Sequence, residues 1–144
     1  PLMVGVPVYL SFKVAVGGFG SFDGGSALYT CRGVGLKFFL DIPSDPFEWL
    51  DYLYPNSAAL ALTQVPTDTA IWYTVQGMYI PDSAYTHLLI ANFFADSLSN
   101  PTILDSTGFA NTYYAYAFID EVCVAYDPAV CGIAQRVELN ALPE

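Results

Sequence analysis

One histidine, three cysteines and two adjacent carboxylates carry most of the reactive chemistry in this sequence. His87 stands beside Leu88 and Leu89, with no serine, cysteine or acid motif around it. A catalytic imidazole needs a nucleophile or an acid within hydrogen-bond reach, so His87 reads as a structural or surface residue. Asp120 and Glu121 are the remaining candidates. Two carboxylates hydrolyse a glycosidic bond when both face one cleft. Neighbours on a strand project to opposite faces, so these two do not act on one substrate. The expectation is a protein that is not an enzyme.

The cysteines point to architecture instead. Cys123 and Cys131 bracket VCVAYDPAVCG, in which Asp127-Pro128 supplies a turn. A chain that doubles back there brings the sulfurs within disulfide reach, leaving Cys31 as a free thiol and implying an oxidising, extracellular setting. The alternative is three reduced thiols buried as small hydrophobes. No Cys-X-X-Cys or zinc spacing is present.

Aromatic side chains are the candidates for binding. Trp49, Tyr52, Tyr54, Trp72 and Tyr73 offer flat faces for stacking on sugar rings. Aromatics at alternating strand positions more often fill a core, and Trp72, opening a strand, is expected in core or edge packing. Trp49 lies in an irregular stretch and is the expected exposed contact. Along the last strand, alternation puts Tyr114, Tyr116 and Phe118 on one face, expected to be core. Tyr113 shares the other face with Ala115 and Ala117, small enough to admit a neighbouring subunit; the alternative is a plain flat sheet face.

Composition limits the partners. The 144 residues are 54% hydrophobic and 16% aromatic but only 12% charged, against about 25% in average domains. Four basic residues (Lys13, Arg32, Lys37, Arg136) face fourteen acidic ones, for a net charge of -10. Nucleic acid and anionic membrane surfaces are held by basic clusters, so both are disfavoured. No apolar run is long enough to cross a bilayer, and without a start Met or signal peptide the chain reads as a processed product or a fragment.

The elements that must position these residues are strands. Pro7–Val16 alternates, with Val8, Leu10, Phe12, Val14 and Val16 on one face and Tyr9, Ser11, Lys13 and Ala15 on the other. Further strands are expected over Gly33–Leu40, Ser57–Gln64, Ala70–Ile80, Tyr85–Phe94 and Thr112–Tyr126, divided by Gly- and Pro-rich turns. Asp45-Pro46-Phe47-Glu48 looks like the start of one short helical turn. Ala95–Asn111 reads as a long polar loop. The sum is an all-β antiparallel sandwich over residues 1–131, followed by a tail or linker over 132–144.

The order of Pro1–Val16, Gly35–Leu40, Trp72–Tyr79, Leu88–Phe93 and Tyr116–Val124 resembles the jelly-roll, carbohydrate-binding-like modules of exported Bacteroidetes surface proteins. Those proteins use the type IX secretion route. The resemblance implies a jelly-roll sandwich with a terminal cysteine pair at Cys123 and Cys131, and a structural calcium held through Asp120, the alternative being that Asp120 accepts hydrogen bonds from a nearby loop. Calcium takes six to eight oxygens, and the usual upstream partners lie before Pro1. It also implies that opening strands precede this sequence, so that one sheet edge is left unpaired. Two functions follow as expectations. The first is a structural or adhesive subunit of the cell exterior that associates with its own copies or a surface assembly. The second is a glycan-binding module. Tyr113 and the Trp49 loop are the expected interface.

Overall fold

In the computed structural model, residues 1–17, 29–42, 56–104 and 115–133 are described. Strand β1, Val8–Val16, is the centre of the molecule. It pairs antiparallel with β5 (Tyr73–Tyr79) on one side and β8 (Ala117–Ala125) on the other. A second three-stranded sheet has the order β4-β3-β6, from Leu60–Ala61, Val34–Phe39 and His87–Asn92. A two-strand pairing of β2 (Tyr29–Thr30) with β7 (Thr102–Ile103) completes three antiparallel sheets. The protein is all-β.

Alternation in β1 sets the core. Val8, Leu10, Phe12, Val14 and Val16 are all buried, and they pack with Leu36, Phe38, Leu62 and Val75 from the other strands. Each buried side chain of this size is worth about 1.5–3 kcal/mol. Phe38 stacks on Tyr79 and Tyr85 at ring separations of 5.5 and 6.2 Å, which ties the two larger sheets together at one end. Gly35 is needed where β3 meets β4: a Cβ there would run into the carbonyl oxygen of Leu60.

The ends of the expected strands shift for identifiable reasons. Of Ser57–Gln64 only Leu60–Ala61 forms a ladder, although Ala59 N–H to Leu36 O and Leu62 N–H to Val34 O continue the pairing along β3. The stretch expected as a polar loop after Ala95 instead holds helix α1, Asp96–Ser99, and strand β7. Arg32 secures α1 by donating from its backbone N–H to Ser99 O and from Nε to Leu98 O, both at 2.9 Å. These are the orphan carbonyls of a helix C-terminus. The expected helical turn at Asp45–Glu48 lies outside the described residues.

Candidate functional site

The face of β1 away from the core is partly covered by its own chain. Asp127 accepts from Ala129 N–H at 2.9 Å and Pro128 opens a short 3-10 turn, Pro128–Cys131. That turn folds back over β1 and β8, where the Cys123–Cys131 disulfide pins it. Ser11 Oγ donates to Cys131 O at 3.2 Å, which explains a buried serine on the outer face. Cys31 is the free thiol. The cysteine pairing expected from the Asp-Pro turn is the one present.

Asp120 and Glu121 correct a simple reading of strand alternation. The register against β1 shifts between Ser11 and Lys13, and Glu121 takes a left-handed φ of 49°. This is a β-bulge, an extra residue that re-aims the side chains around it. Asp120 lies opposite Lys13, and Glu121 meets the Lys13 ammonium at 2.6 Å. Both carboxylates therefore sit on the outer face with Lys13, where strict alternation would separate them. Asp120 Oδ1 accepts from Glu121 N–H at 2.7 Å. Among the described residues no third acidic, histidine or cysteine donor joins them. Two carboxylates beside an ammonium do not make a calcium site, so the calcium implied at Asp120 would need oxygens from outside the described residues.

Between the two larger sheets, one side is closed and the other is open. β4 lies against β5 on the closed side. On the other side a cleft of about 580 Å³ separates β6 from β8. Val16, Val34, Ile90, Ala117 and Ile119 line it, with Tyr29, Tyr116, Asp96 and Pro101 also on its wall. Its polar groups are largely engaged with one another. Asn92 donates to Ser99 Oγ at 2.9 Å and to the Cys31 sulfur at 3.6 Å, and accepts from Phe94 N–H. Burial pushes the Cys31 thiol up, the Asn92 amide pulls it down, and the nearby Asp96 carboxylate raises it further. A cleft of this size and lining takes a small ligand or part of a larger one.

The expected aromatic platform is divided. Trp72, expected in core or edge packing, is 48% exposed just before the edge strand β5, because it precedes the paired stretch. It does not line the cleft. Trp49, Tyr52, Tyr54 and Tyr113 lie outside the described residues. Tyr73 turns its hydroxyl back to accept from the N–H groups of Thr67 and Asp68, and so serves the loop. Phe118 was expected on a core face. It instead lies opposite Ala15 on the outer face and is 54% exposed, while Ala117 pairs with Val16 on the inner side. His87 is exposed at the start of β6, with Nδ1 2.8 Å from Thr86 Oγ1 and 3.2 Å from Leu40 O. The cleft itself was missed in the sequence. Tyr29, Cys31, Asn92 and Ser99 converge there from three separate segments, and no local pattern announces that.

No family model, curated protein or solved structure matches the chain. No helix among the described residues is long and apolar enough to cross a membrane.

Proposed function

We propose that this chain is a non-catalytic structural or adhesive module of the cell exterior that works by associating with copies of itself. The observation that carries the reading is an apolar end. Met3, Val4, Val6, Met78, Ile80, Tyr126 and Val130 are between 38% and 69% exposed. Backbone geometry gathers them: Met3 N–H donates to Tyr126 OH at 2.8 Å, Gly5 N–H to Pro81 O at 2.8 Å, and Tyr9 pairs with both Met78 and Ala125. Single exposed apolar residues are ordinary, whereas a gathered set marks an interaction surface. The disulfide supports an oxidising, extracellular setting. The resemblance to exported Bacteroidetes modules supports the type IX route and a place in a surface or filamentous assembly.

Sedimentation velocity over a concentration series tests the proposal. Self-association should appear, and Val130→Asp should weaken it. A monomer at every concentration would remove the reading. The cleft favours a second reading, a carbohydrate-binding module, because Tyr29 and Tyr116 lie beside polar Asn92 and Asp96. Glycan-array binding that is lost on Tyr116→Ala would bring that reading forward.

A further inference from the structure

The open side of the sandwich leaves inner faces uncovered that a closed sandwich would bury. Val124 pairs with Leu10 and so points inward, as does Val122 two residues earlier, yet they are 37% and 41% exposed. Across the gap, Ile90 pairs with Leu36 on the inner face of β6 and is 39% exposed. Leu10 and Leu36, one strand further in, are fully buried. The apolar stripe therefore runs past the last strand on this side. Next to it lies the second edge of β8. Its first edge is taken by β1, and among the described residues no strand pairs with the other along Ala117–Ala125.

A row of alternating N–H and C=O groups beside an apolar inner face specifies its occupant. A sugar or an acyl chain satisfies few of those groups. An extended polypeptide satisfies them in register and places every second side chain inward. Charge narrows the choice further. The middle of β8 carries Asp120 and Glu121, and Lys13 binds only the second. A second β8 brought up antiparallel would set four carboxylates together, which like-charge repulsion opposes. A strand carrying one basic residue would complement them.

We propose that the open side of the sandwich, between β6 and β8, is a docking groove for an extended peptide of a partner protein. The peptide adds as a strand to the edge of β8 that no strand among the described residues pairs with. It turns alternate apolar side chains onto Val122, Val124 and Ile90, and it carries a Lys or Arg opposite Asp120. The groove is read through Val122 and Ile90 and the apolar end through Val130, so substitutions at these residues test the two surfaces apart.

Hydrogen–deuterium exchange on the full 144-residue protein tests it with synthetic peptides of alternating Val and Thr around a central Lys. The Lys peptide should slow exchange within residues 117–125. N-methylation of every second amide on the pairing edge should weaken binding about tenfold or more, since each lost hydrogen bond costs a sizeable part of that factor. A central Glu in place of Lys should weaken it at low salt, and Asp120→Asn should narrow that difference. Val122→Asp should also weaken binding, while Val130→Asp at the apolar end should leave it unchanged. Binding that survives N-methylation, protection confined to other strands, or no binding at millimolar peptide would overturn the proposal. So would protection of β8 that grows with protein concentration alone, which would make a second copy the occupant.

Discussion

Tyr85 shows how one hydrogen bond changes a side chain's chemistry. Its hydroxyl donates to Asp82 Oδ1 at 2.6 Å, and that bond, with smaller help from burial and Tyr79, pushes the phenol up to about 12. The folded state therefore favours the neutral phenol. Its contribution is present below the ordinary phenol range near pH 10 and is lost as pH rises through about 12. Ultraviolet titration should show Tyr85 ionising late, and Asp82→Asn should return it toward the ordinary range. Cys31 gives a second residue-level expectation. Thiol counting on the denatured, unreduced protein should give one free group, and three would remove the disulfide. In the folded protein Cys31 should react with maleimide only as pH climbs above the usual thiol range, because burial favours its protonated form.

Individual elements differ in what they tolerate. β1 is buried on its whole inner face, and Phe12 is 1% exposed, so Phe12→Ala should cost about 3–5 kcal/mol in denaturant unfolding. Gly35→Ala should destabilise by a different route. No cavity forms; the new methyl group meets the Leu60 carbonyl, and β4 must move away from β3. Loss of the β3–β4 amide protection with the rest of the sheet intact would be the signature. The final turn depends on its crosslink. The bridged residues are 8 positions apart, and closing a loop of that length restrains the unfolded chain by about 2–3 kcal/mol. Reduction should therefore loosen the turn from Ser11 while leaving the β1–β5 ladder in place.

For the molecule as a whole, the proposed association sets short-range burial against long-range repulsion. Each copy carries a net charge of -10, whereas the apolar end is built of uncharged side chains. At physiological salt, charge effects reach only about 8 Å. Added salt should therefore strengthen self-association in sedimentation, and a contact built on Lys or Arg would weaken instead. Recognition of a basic peptide at β8 should respond in the opposite sense, its preference for Lys over Glu fading as salt rises. The two salt slopes distinguish the two surfaces.

Much of this architecture is legible in the chain alone because it rests on local rules. Period-two alternation in Pro7–Val16 forces one face of β1 inward, whatever packs on it. Asp127-Pro128 between two cysteines forces a reversal, and the scarcity of basic residues disfavours polyanions. Other features depend on register. Strict alternation placed Asp120 and Glu121 on opposite faces and put Phe118 inside. A single residue in the left-handed region at Glu121 brings the carboxylates together, and pairing with Ala15 turns Phe118 out. An unpaired edge is among the expectations, but its place on β8 and the cleft beside it belong to the tertiary structure alone. Residues 29–31, 90–92, 99 and 115–119 meet only because β6 and β8 end up on the same side of the two larger sheets. Alternation tells a strand which face to bury; only the packing of the sheets decides whether anything lies beneath it.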